Sequence, residues 1–154
     1  MRPVTSSLHA KLRAGALGAA SMWLSIFAWA DAPAGRYTID AGTVYDTSTL
    51  LTWQQAPTRD YLLWADANRY CTTLSLNGSG WRLPSVTELE TLDDETCSTP
   101  AIDPSAFPNT DSDYYWTSSY VARFPTYAWT VGFQIGLANF FTVSDSLQLV
   151  RCVR

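Results

Sequence analysis

The sequence predicts an α+β fold in one domain, on three observations. Strand-like segments come first after residue 35, two helical patterns follow, and a second run of strand-like segments comes last. Strands and helices are therefore segregated, which argues against a parallel β-α-β sheet. Between the helices and the later strands lies a stretch with three prolines, which suits neither helix nor central strand. The length of 154 residues fits one domain, with no internal repeat or low-complexity tract.

The first segment reads as a leader. MRPVTSSLHAKLR carries Arg2, Lys11 and Arg13 and no acid, and Ala14 to Ala30 carry no charge. The run closes on Ala28-Trp29-Ala30 before Asp31. That is the layout of a secretory signal peptide, with cleavage expected after Ala30. The run is rich in Ala, Gly and Ser and at the short edge of what spans a bilayer. No Cys lies near the site, which argues against a lipid-anchored form. The expected mature chain, 31–154, has no segment apolar enough to cross a membrane.

Removing the leader changes the chemistry. The formal charge of −4 becomes −7, seven arginines against fourteen acids. The only His, His9, and the only Lys, Lys11, both go with it. A His general base, a Ser–His–Asp triad, a Lys Schiff base and a His-ligated zinc are excluded for the mature chain. Asp/Glu pairs, Cys chemistry and Tyr remain. Fourteen acids make a chance carboxylate pair easy, so a glycosidase pair carries little signal. An acidic chain is a poor partner for nucleic acid. The five Trp and eight Tyr of residues 31–154 fill cores, and also offer platforms for sugars and proteins.

Cys71, Cys97 and Cys152 allow one disulfide and leave one thiol. Spacing alone does not choose the pair. A Cys71–Cys152 bridge would tie a helix to the last strand and add about 3–5 kcal/mol. Cys97 would then be a quiet thiol or a link to a second chain, forming a dimer. Asp93, Asp94 and Glu95 would raise its pKa.

The elements follow in order. Short strands are expected at 36–39, 43–46 and 50–55, with Asp46-Thr47-Ser48-Thr49 turning between the last two. In LLWADANRYCTTL, Leu63, Ala67, Tyr70, Cys71 and Leu74 share one helix face. Asn77-Gly78-Ser79-Gly80 stops that helix. Trp81 and Leu83 alternate around Arg82 as a short strand would, and Pro84 stands before the next helix. Ser85-Val86-Thr87-Glu88 is a capping box, with Val86, Leu89 and Leu92 facing inward. Arg82 is either half of a structural ion pair or a ligand-binding cation. The stretch 94–113 holds Pro100, Pro104 and Pro108, and a loop of that length is often functional. Strands are expected at 114–120, 128–136, 138–143 and 147–154.

Several of these segments together resemble a known family. Tyr70-Cys71, WRLPSVTEL at 81–89, AIDPSAFPNT at 101–110, YWTSS at 115–119, AWTVGFQIG at 128–136 and the terminal RCVR look like the Lcl C-terminal domain. That domain is named after the Legionella collagen-like protein. The resemblance runs from about residue 36 to 154. The family is similar to the C-type lectin-like fold and to formylglycine-generating enzymes, which share the YC helix and the RLPxxxE segment. The resemblance implies two helices beside a small twisted antiparallel sheet. It also favours Cys71–Cys152 as the bridge. Leu50 departs from the pattern, where the family commonly has Gly.

The resemblance implies a secreted, non-enzymatic binding or adhesion module for a glycan or an extracellular protein. The named member is an adhesin whose type of domain is linked to sulfated polysaccharides. A charge of −7 without Lys argues against such polyanions here. Neither calcium-dependent lectin motif, carboxylate-Pro-Asn or Trp-Asn-Asp, occurs. Asn109, Asp111 and Asp113 are nonetheless candidate calcium ligands, being oxygen donors in a loop. The expected binding region is 103–127, through Asp111, Asp113, Tyr114, Tyr120, Arg123 and Tyr127. Cys71, Cys152, Arg82, Ser85 and Glu88 are expected to be structural. The alternatives are a structural subunit of a surface assembly and a degenerate formylglycine-generating-type oxidase.

Overall fold

The computed structural model describes residues 35–154. The expected leader, 1–30, lies outside the described residues. Among the described residues, no helix is long and apolar enough to cross a membrane.

The first three strands are β1 (Tyr37–Asp40), β2 (Thr43–Asp46) and β3 (Leu51–Gln54), paired antiparallel in that order. Asp40 pairs with Thr43, so Ala41-Gly42 is a two-residue hairpin turn, and both have positive φ (44° and 83°). Such turns match the strand twist. The next turn is organised by Asp46, whose carboxylate accepts from the Ser48 N–H, the Thr49 hydroxyl and Arg36 Nε and Nη2. Leu50 ends that turn at φ 61° and is 70% exposed.

Two short helices follow, α1 (Trp64–Thr73) and α2 (Val86–Glu90). The apolar helix face in the sequence is counted from Leu63. The helix begins at Trp64 because Leu62 exchanges backbone hydrogen bonds with Gln148 and stays extended. Ala67 and Cys71 are buried on its inner face, with Tyr70 and Leu74 packed beside them. The α2 capping box forms: Ser85 Oγ accepts from the Glu88 N–H at 3.2 Å, and Glu88 Oε2 accepts from the Ser85 N–H at 2.7 Å. Leu89 and Leu92 are buried, and Val86 packs against them.

The second sheet is β4 (Tyr114–Val121), β5 (Phe124–Gly132) and β6 (Leu137–Thr142), again antiparallel in order. The resemblance suggests one small sheet; the chain builds two of three strands each. They stay separate because the segment between them, 148–153, bridges to each only briefly. β5 starts earlier than the sequence suggests, since Val121 pairs with Phe124 across a two-residue turn. It also stops earlier, because Phe133 to Gly136 turn the chain and the Gly136 N–H bonds the Gly132 carbonyl. The β4–β5 register slips between Trp116 and Tyr120. In the slip, the Ser118 N–H bonds the Pro84 carbonyl and Ser119 Oγ accepts from the Val86 N–H, which ties the sheet to the start of α2.

The last segment was expected as a strand at 147–154. It is extended, but shares its backbone bonds among four neighbours. Leu149 bonds with Tyr114 and Trp116 of β4, Val153 with Arg82, Cys152 and Arg154 with β3, and Gln148 with Leu62. Its side chains alternate between two cores. Leu149 and Val153 enter a cluster with Trp53, Leu89, Phe107, Tyr115 and Phe133; Val150 and Cys152 enter one with Ala67, Cys71, Trp81 and Trp116. Cys71 and Cys152 are disulfide-bonded, the pair the resemblance favours.

Arg151 sits between these residues on the first side and is fully buried without a carboxylate. Its Nη2 donates to Thr110 Oγ1 (2.8 Å) and the Gln55 carbonyl (3.2 Å), and its guanidinium lies 4.7 Å from the Phe107 ring centre. Burial pulls its pKa down to about 10, and the nearby Tyr115 and Tyr37 act the other way. The proline-rich stretch 94–113 is also less of a free loop than expected. Ile102, Ala106 and Phe107 are buried in the first cluster, and Ala101 is buried as well. Apolar residues between the prolines give it a core-facing side.

Two stability outcomes are expected. A left-handed Leu costs more than Gly, so Leu50→Gly should stabilise by about 1 kcal/mol, read as a rise of about 3 °C in Tm by calorimetry. The disulfide closes a long loop, with its cysteines 81 residues apart. Its reduction should cost about 3–5 kcal/mol in urea unfolding.

Candidate functional site

The six candidate binding residues do not converge. Asp111, Asp113 and Tyr114 lie at the start of β4, while Tyr120, Arg123 and Tyr127 lie around the β4–β5 turn, roughly 20 Å along the strand. At the first end, Asp113 Oδ2 accepts from the Tyr61 hydroxyl at 2.6 Å and Oδ1 from the Tyr114 N–H at 2.8 Å. That hydrogen bond to Asp113 raises the Tyr61 pKa. Tyr114 packs edge-on against Phe141 at 5.1 Å, over Gly132, where a Cβ would meet the ring at 2.7 Å. Tyr114 therefore serves packing.

The candidate calcium ligands lie in the stretch just before β4. Both Asp113 oxygens are already hydrogen-bonded, Asp111 is exposed, and Asn109 has a left-handed backbone (φ 62°). Among the described residues, no three acidic, Cys or His side chains converge as a metal site.

Arg82 forms a two-pronged ion pair with Glu88, Nη1 to Oε2 at 2.8 Å and Nη2 to Oε1 at 2.7 Å. Glu88 Oε2 thus serves both the ion pair and the helix cap. The hydrogen bond from Arg82 holds its pKa down at about 2, aided by the Ser85 N–H. Cys71 and Cys152 are joined, so the remaining thiol is Cys97, partly exposed, its pKa raised first by burial and then by Asp94.

A groove opens at the other end of the second sheet. Val121, Phe124, Tyr127 and Phe140 line about 500 Å³ of space. Tyr127 and Trp129 alternate on β5 with Val131, and Phe140 stands opposite Trp129 on β6. These residues share one sheet face. Its Val131 and Phe133 end is buried in the first core, and its Tyr127 and Phe140 end is not covered. Phe140 packs edge-on against both Tyr127 (5.9 Å) and Trp129 (5.5 Å), which holds the wall upright. Phe124 is 59% and Phe140 46% exposed, a large apolar surface to leave in water. Arg123 sits in the turn beside Phe124, exposed, with φ 69° and no ion-pair partner among the described residues. Tyr120, 47% exposed, leans on Trp64 at 5.0 Å.

Of the expected residues, Tyr127 lines the groove and Arg123 lies at its turn. Phe124 and Phe140 were missed. The Phe140-Phe141 pair held a signal, since adjacent strand residues face opposite ways. Phe141 packs in the second core and Phe140 is left outside.

The family model for the Lcl C-terminal domain matches residues 42–154. The chain belongs to the Lcl C-terminal domain family. No curated protein matches it. Within this Lcl C-terminal domain, the matched region takes in both sheets from β2 onward, both helices and the bridge.

The Arg82–Glu88 pair gives a pH expectation. The folded pKa of Glu88 is depressed, so its contribution is present above the unfolded value near 4.5 and is lost as pH falls towards 2. Glu88→Gln keeps a capping side chain but no charge. Compared by urea unfolding from pH 6 to pH 2, wild type should lose about 1 kcal/mol that the variant does not, after allowing for the solvent around Arg82.

Proposed function

We propose that this Lcl C-terminal domain is a secreted, non-enzymatic binding module of the adhesion type. The observation that carries this reading is the uncovered aromatic groove of Val121, Phe124, Tyr127 and Phe140. Apolar surface of this kind marks contact sites. Phe140 is braced against Tyr127 and Trp129, so this wall needs little ordering when a partner arrives. The secreted reading rests on the leader pattern of residues 1–30 and on the disulfide, which suits an oxidising compartment.

Between a glycan and a surface protein, the groove favours protein. Sugars need hydrogen-bonding side chains around an aromatic face, and the four lining residues offer only the Tyr127 hydroxyl. A formylglycine-generating-type oxidase is disfavoured, because that chemistry uses a cysteine pair and Cys71 and Cys152 are bonded to each other.

The test is an array of purified cell-surface ectodomains beside one of glycans and polyanions, each with calcium and with a chelator. Binding to ectodomains that survives the chelator is expected. Phe124→Ser and Phe140→Ser should weaken it at least about tenfold, as removal of aromatic anchors does, with Tm within a few degrees of wild type. Glycan binding abolished by the chelator, and unaffected by these substitutions, would overturn the groove reading.

A further inference from the structure

Three features around the groove bear on what occupies it. The first is charge. The chain is acidic, yet residues 114–144 contain one charged side chain, Arg123, and no carboxylate. The groove wall is built from this stretch, with Arg123 beside Phe124. The nearest following acid, Asp145, is engaged by the Thr142 hydroxyl. The second is the edge. Among the described residues, β6 is the last strand of its sheet and pairs only with β5. It reads LANFFT, without charge or proline, so it lacks the usual guards of an open edge. The third is the state of that edge at Phe140. Its N–H is held at 2.8 Å by the side-chain oxygen of Asn139, not by a strand. A side chain that covers one N–H can swing away when a strand arrives.

We infer that the occupant is an extended polypeptide segment carrying an apolar or aromatic residue flanked by Asp or Glu. It adds to the free edge of β6, its apolar side chain enters the groove, and its carboxylate meets Arg123. This inference rests on the binding-module reading and narrows its partner. Strand addition supplies affinity through main-chain hydrogen bonds, and the groove supplies selectivity. The charge term favours acidic over basic partners, and most strongly at low salt.

The probe is a displayed library of random linear peptides, selected on the purified protein and counter-selected on Phe140→Ser. Enriched peptides should combine an aromatic or large aliphatic residue with neighbouring Asp or Glu. A synthetic copy of the leading peptide should lose about tenfold in affinity against Arg123→Glu and weaken as salt rises. N-methylation of alternate amides in that peptide should abolish binding. Groove-dependent peptides enriched in Lys or Arg, or without charge preference, would overturn this inference and leave the binding-module reading standing. Groove-dependent peptides that tolerate N-methylation would overturn strand addition. Peptides that bind Phe140→Ser as well as wild type, or no enrichment at all, would overturn both the occupant and the groove as its site.

Discussion

The extended segment from Gln148 to Val153 is the constraint on which the other parts depend. It lies between β3, the Arg82 segment, β4 and the approach to α1, and exchanges main-chain hydrogen bonds with each. None of these neighbours pairs directly with all the others. Without it, each sheet would be a three-stranded fragment with an exposed edge, marginal by itself. The alternation of its side chains then fills two cores at once, with Leu149 and Val153 on one side and Val150 and Cys152 on the other. The disulfide reinforces the same join by fixing α1 to this segment.

Arg151 belongs to that alternation and is its most costly member. A fully buried guanidinium, with no carboxylate partner among the described residues, is held by two hydrogen bonds and by the faces of aromatic rings. Its Nε and Nη1 have no hydrogen-bond partner among the described residues. Cation–π attraction strengthens when the charge is desolvated, which offsets part of the burial cost. Thr110 and Phe107, both Arg151 contacts, come from the proline-rich stretch. Arg151 therefore joins that stretch to the segment that unites the sheets.

Much of this architecture was legible beforehand, for local reasons. The capping box at Ser85 and Glu88, the apolar face of α1 and the alternation through Trp129, Val131 and Phe133 are short-range patterns. Each implies its element without reference to the remainder. Arg151 was not legible, because nothing within RCVR says that the ring system waiting for it comes from residues 107, 115 and 133. The start of β5 shifted for a related reason: Phe124 is claimed by its hairpin partner Val121. The binding region was half legible. Tyr and Arg around the β4–β5 turn were visible as candidates, but sequence proximity also gathered Asp111 and Asp113, which the length of β4 carries to the other end. The groove needed Phe140, brought in by the pairing of β6.

The segment 148–153 follows, in chain order, every element that it unites. During synthesis, the residues of both helices and both three-stranded sheets precede the residues that join them. The early hairpins can form locally, but the two cores stay open until residue 153 has emerged. A chain halted shortly before residue 148 would hold the residues of both helices and both sheets, and would lack the one segment that closes the two cores.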